Sequence, residues 1–194
     1  MTDRPYHHGR LRATLLAEAE RTLRERGIEQ LSLRDLARQA GVSHGAPRRH
    51  FPDRQALLDA LAEAGWARLG EEVSAAIDNA GGDYEARLQA LGTAYIRFAT
   101  RDAALMELMF AAKSAGQSAA LPAASERLFI AVGDLIHEGQ HAGRLPPGDP
   151  ERLRLLLMAT SVGIGALVTS GTVETAQVDE LIADAVSLFT RGPH

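Results

Sequence analysis

No run of β-branched residues interrupts this chain. Ala, Leu, Arg and Glu dominate it from end to end, and these residues lose least on becoming helical. That leaves helices packed on helices, an all-α fold of about nine helices. Leu11, Leu15, Leu16, Ala19 and Leu23 recur at the helical spacing and predict a first helix over Leu11–Arg26, closed by Gly27. Ser32 and Asp35 carry the S-x-x-D start signal of a second helix. Gly41 ends it near Ala40, and Ser43 caps a very short third helix over His44–His50. After the break at Phe51-Pro52-Asp53, further helices are expected over Arg54–Ala76, Tyr84–Thr100, Asp102–Phe110, Ser125–His141, Pro150–Thr169 and Thr175–Thr190. Ala111–Ala124 reads as a loop, because it is small, polar and contains Pro122.

Other features narrow the class. The 194 residues suffice for a core without staples, and zero Cys excludes thiol chemistry and Cys-ligated zinc. Met1–Arg10 has no apolar run, so no secretory signal is expected. Leu155–Val173 spans 19 residues without a charge. Its Gly, Ser and Thr content makes it a poor membrane span and a better buried interface helix. A soluble, cytoplasmic protein without cofactor or metal is the expectation.

The segment Ser32–Phe51 reads as helix, tight turn, short helix, with the Gly that a helix-turn-helix needs. Leu33, Leu36, Val42 and Phe51 lock it from inside. The short helix is polar and basic outside, through His44, Arg48, Arg49 and His50. Gly45 and Ala46 would let its backbone approach a major groove closely. The charge agrees by segment. Residues 1–60 hold 11 arginines against eight acids, net +3, whereas the remainder is net -7 and the whole chain -4. The basic charge sits with the helix-turn-helix, as a DNA footprint requires.

The run Leu31–Phe51, with Glu25-Arg26-Gly27 before it and Phe51-Pro52-Asp53-Arg54-Gln55-Ala56-Leu57 after it, resembles the DNA-binding segment of the tetracycline-repressor (TetR) family. The resemblance covers about residues 9–62. It implies a homodimeric transcriptional regulator, usually a repressor, released from a pseudo-palindromic operator by a small molecule. By position it implies phosphate contacts from Ser32, Arg34 and Arg54. It also implies recognition contacts from Ser43, His44, Gly45, Ala46, Arg49 and His50. Arg48 stands where the family usually has Tyr; it keeps phosphate reach and adds charge. Without the surrounding motif, Arg48 and Arg49 would read as a solvated face. His50 has a second reading, packing beside Phe51. The arm Arg4–Arg10 has two readings, entry into the minor groove or disorder.

The expected domains are 1–53, the helix-turn-helix, and 54–194, a larger helical domain for effector binding and dimerisation. Trp66, Tyr95, Phe98, Met106, Met109, Phe110, Phe129 and Met158 are core residues of which some would line a pocket for an apolar or amphipathic effector. Leu155, Ala159, Val162, Gly163 and Ala166, with Leu181, Ala185 and Leu188, are the expected dimer face. Two other classes remain. His137-Glu138-Gly139-Gln140-His141 matches H-E-x-x-H, the signature of a zinc-dependent hydrolase. Helical geometry sets both histidines opposite the apolar stripe of their helix, so coincidence is preferred and no catalytic residue is assigned. A helical interaction module without DNA binding is the third class.

Overall fold

The computed structural model describes residues 6–115 and 120–191. Among them are eight α-helices, three short 3-10 turns and no strand. The order is α1 (Tyr6–Arg26), a turn at Ile28–Gln30, α2 (Leu33–Gln39), a turn at Pro47–Arg49, then α3 (Arg54–Asn79) and α4 (Tyr84–Arg101). α5 (Ala103–Ala115), α6 (Leu121–His141), α7 (Pro150–Thr169), a turn at Thr175–Gln177 and α8 (Val178–Arg191) complete it.

The all-α expectation holds; the last helix opens with a 3-10 turn at Thr175–Gln177 before α8, and three further local differences stand out. α1 begins at Tyr6, so the backbone of Tyr6–Arg10 is helical. The arm's first residues, Arg4 and Pro5, lie outside the described residues. The expected loop over 111–124 is mostly helix, because α5 continues to Ala115 and α6 begins at Leu121. Ala111, Ala112 and Lys113 are good helix formers, and Pro122 falls in the first turn of α6, where a missing N–H is harmless. The third difference, at His44–His50, belongs to the site below.

Two compact units divide the chain. The first takes described residues within 1–65 and 104–121, the second those within 66–103 and 122–194. The boundary expected at 53/54 marks the start of α3, whereas the units divide inside α3. Leu57, Leu58, Leu61 and Ala62 in its first half are buried, and Gly65 lies directly against Leu105 and Met109 of α5. The core of the first unit joins these to Leu15, Ala19 and Leu23 of α1 and Leu36 and Ala37 of α2.

In the second unit α4 packs against both α7 and α8. Leu88, Leu91, Tyr95 and Ile96 face Leu157 of α7 and Ile182 and Val186 of α8 around a small apolar cavity or are buried beside it. α6 docks on α4 through a close approach at Gly139. Any side chain at this position would overlap the Tyr84 phenol oxygen, which donates a hydrogen bond to the Leu135 carbonyl at 3.1 Å. α7 is long and apolar enough to cross a membrane by length and composition, with 22% of its most apolar window buried.

Candidate nucleic-acid interface

α2 is built from its ends inward. Ser32 is extended at the N-cap, and its hydroxyl accepts the Asp35 N–H at 3.1 Å. The same hydroxyl donates to Asp35 Oδ2 at 2.7 Å. That bond, with the Arg38 and Arg34 charges behind it, holds the Asp35 carboxyl below its ordinary range. At the other end Gly41 adopts φ 65°, which a residue with a Cβ resists. The Gly41 N–H bonds the Arg38 carbonyl at 3.2 Å and the Val42 N–H bonds the Ala37 carbonyl at 3.0 Å. These two bonds form a Schellman stop, so α2 is held to seven residues.

The expected α-helix over His44–His50 is instead a chain of tighter turns, with a 3-10 turn at Pro47–Arg49. Proline supplies the reason. An α-helix here would need a hydrogen bond from residue 47 to the Ser43 carbonyl, and Pro47 has no N–H. The Ser43 carbonyl takes the Ala46 N–H at 2.9 Å instead, and Arg49 N–H follows onto Ala46 at 3.2 Å. The coil closes with both the His50 and Phe51 N–H groups on the Pro47 carbonyl. Pro47 and Phe51, one turn apart, are buried and anchor the element.

With these anchors inward, the other side is presented outward. Ser43, His44, Gly45, Arg48 and Arg49 are exposed, while Ala46 and His50 are half-buried. Arg34 is exposed in the first turn of α2 and Ser32 half-buried beside it. Arg34, Arg48 and Arg49 form no ion pair among the described residues, unlike Arg21, Arg24 and Arg38. Arg21 pairs with Glu18, Arg24 with Glu20 at 2.9 Å and Arg38 with Asp35 at 3.0 Å. Arg12, which the sequence did not single out, sets its guanidinium 5.4 Å from the centre of the Phe51 ring. Arg54 is exposed, and its guanidinium donates to the carbonyls of Leu31 at 3.0 Å and Ile28 at 2.6 Å. The element thus offers cationic and hydroxyl donors beside a small-residue surface, a combination suited to phosphates and base edges.

On α7 the expected dimer residues share one face, whereas Ala185 of α8 lines the cavity between α4, α7 and α8. Taking about 100° per residue, Leu155, Ala159, Val162, Gly163 and Ala166 fall within an arc of about 100°, and Leu153 and Leu157 fall opposite. All five are exposed, and the two opposite are buried. On α8, Leu181 and Ala185 are half-buried, while Leu188 is 79% exposed. Leu156 and Leu167 widen the apolar surface of α7.

The expected effector residues divide between the units. Met106, Met109 and Phe110 belong to the first; Trp66, Tyr95, Phe98, Phe129 and Met158 belong to the second. Trp66, Tyr95, Phe98, Met106 and Met109 are buried and the other three half-buried. Phe98 lies within 5.1 Å and 5.3 Å of the Arg68 and Arg101 guanidinium carbons. Phe129 meets Trp66 at 6.4 Å between ring centres and lines an open groove of about 500 Å³ with Pro122, Ala123, Glu126 and Ile130.

The H-E-x-x-H residues have other duties. Arg87 grips Glu138 through two bonds of 2.7 and 2.8 Å. His141 Nδ1 lies 2.8 Å from the His137 carbonyl. Burial, reinforced by the Glu138 charge, pushes the neighbouring Tyr84 hydroxyl up to about 12. Among the described residues no group of three His, Asp or Glu stands where it could hold a metal ion.

Comparison with known proteins agrees with this architecture. Residues 15–61 match the bacterial regulatory proteins of the tetR family, and residues 88–189 match the tetracyclin repressor-like C-terminal domain. A protein of unknown function from Rhodococcus sp. RHA1 is 44% identical over 98% of both chains, with a TM-score of 0.88. A TetR-family transcriptional regulator from Pectobacterium atrosepticum superposes with a TM-score of 0.71 at 25% identity, over 98% of this chain and 99% of its own. A tetR-family regulatory protein from Rhodococcus RHA1 shares the fold at 20% identity and a TM-score of 0.73, over 93% of this chain and 95% of its own. No curated protein matches the chain. Two family matches in chain order, on a helix-turn-helix and on the helical region after it, establish that this chain belongs to the tetR family of bacterial regulatory proteins.

Proposed function

We propose that the protein is a homodimeric transcriptional repressor of the cytoplasm that occupies a pseudo-palindromic operator and leaves it when a small apolar or amphipathic effector binds. The observation that carries the reading is the set of exposed arginines without ion pairs: Arg34 on α2, and Arg48 and Arg49 on the turn anchored from behind by Pro47 and Phe51. In this reading Ser32 and Arg34 clamp phosphates, while Ser43, His44, Gly45, Ala46, Arg48, Arg49 and His50 face the groove. The apolar face of α7, continued by Leu181, Ala185 and Leu188, supports a second copy as its cover. The groove beside Phe129 supports an effector with an apolar body. The effector acts by preferring a conformation unable to bind the operator. In this reading the protein is a regulator without enzymatic activity. Footprinting of the DNA flanking the protein's own gene tests the proposal. It predicts a protected two-fold site whose affinity falls steeply with salt. Absence of sequence-specific protection there and elsewhere would sink it.

A further inference from the structure

Arg54 is the first residue of α3, a place where the helix dipole opposes a cation. Its backbone is fixed by Asp53, whose carboxylate accepts the Ala56 N–H at 2.8 Å. From there Nε reaches the Leu31 carbonyl at 3.0 Å and Nη2 reaches the Ile28 carbonyl at 2.6 Å. Leu31 is buried and immediately precedes Ser32, the N-cap of α2. The Leu31 carbonyl precedes the helical ladder, and the Ile28 carbonyl already accepts the Leu31 N–H at 3.2 Å. One planar guanidinium therefore bridges two carbonyls on the strap between α1 and α2. A lysine, with a single nitrogen, cannot reproduce that fork.

We propose that Arg54 is a positioning residue for DNA binding: it latches the start of α3 to the start of α2 and so sets where Ser32 and Arg34 meet the phosphates. The connection runs from the fixed first turn of α3, through Leu31, into the Ser32 cap, and along α2 to the Schellman stop that carries the recognition turns. This assignment rests on the DNA-binding reading above, and it differs from the phosphate-contact role that resemblance implies for the same residue. A phosphate contact needs only the charge; a latch needs the fork. Because the fork ties the two together, a displacement of the first turn of α3 moves the strap with it.

The test compares full-length wild type, Arg54→Lys, Arg54→Ala and Arg34→Ala. The probe is the duplex that wild type enriches from a random-sequence pool. As a latch, Arg54 predicts that both its variants bind about tenfold or more weakly, with the slope of log affinity against log salt unchanged. Arg34→Ala should lower that slope by about one. Amide exchange should rise over residues 28–36 in Arg54→Lys and stay as in wild type over α7 and α8, a local loosening that general destabilisation would not give. Wild-type affinity in Arg54→Lys, together with a slope lowered by about one in Arg54→Ala, would overturn the latch in favour of a phosphate contact. Unchanged exchange over residues 28–36 would overturn it also. If wild type enriches no duplex, the DNA-binding reading fails on its own, and the exchange measurement still decides whether the fork holds the strap.

Discussion

Leu188 projects from α8 with 79% of its surface exposed, so replacing it by alanine separates the proposed dimer face from the fold. The substitution removes about three methylene equivalents, each contributing about 0.8 kcal/mol when buried. Scaled by that 79% exposure, burial of the lost atoms by a second copy is worth about 2 kcal/mol per protomer. A two-fold interface counts each residue twice, so dimerisation should weaken by about 4 kcal/mol, or nearly three orders of magnitude. The isolated protomer should barely notice, because the side chain touches little in it. Sedimentation equilibrium over a wide concentration range gives the dimer constant, and urea unfolding of the dilute monomer gives the control. Ile182→Ala, one position from Leu181 but buried, should do the reverse and destabilise the protomer by about 2–5 kcal/mol. Equal dimer constants for wild type and Leu188→Ala would remove Leu188 from the dimer face, and a wild type that stays monomeric at micromolar concentration would remove the dimer itself.

Arg48→Ala and Arg49→Ala combined should reduce specific DNA affinity at least about tenfold and lower the salt slope by about 1–2, read by fluorescence anisotropy. Gly139→Ala should lower the urea midpoint, at a cost of roughly 1–3 kcal/mol, because the added methyl meets Tyr84 and Leu145. Alkaline pH should destabilise the fold through Tyr95, whose hydroxyl burial pushes up to about 12. The folded chain keeps that proton while the unfolded chain releases it near the ordinary value of about 10. Stability present below that value is therefore lost as pH rises towards 12, by roughly 2–3 kcal/mol. Tyr95→Phe should flatten that part of the pH profile of urea unfolding.

The parts of the fold legible in sequence are those with local signals. α7 is predicted over Pro150–Thr169 and found there, because Asp149 caps it and Pro150 suits its first position. The start of α2 follows from Ser32 and Asp35, and its end from Gly41. The recognition element was legible as an outward basic turn, but its backbone was not. The motif suggests an α-helix, and the missing N–H of Pro47 tightens it into turns. The extent of α5 was hidden because small residues suit helix and loop alike. The Arg54 latch joins residues 23 and 26 positions apart, and the Arg12–Phe51 stack is longer still in sequence, so neither leaves a short-range pattern. Pocket and core draw on the same aromatic and Met side chains, which is why composition alone marks Phe98 and Phe129 alike.

Whether the protein recognises an operator is decided by selection from a random-sequence duplex pool with purified wild-type protein, followed by sequencing of the bound fraction. The operator sequence emerges from the selection itself. One two-fold symmetric sequence should be enriched, and the enrichment should be lost in the Arg48→Ala, Arg49→Ala double variant. A bound fraction indistinguishable from the input pool at moderate salt, from folded and dimeric protein, would contradict operator recognition.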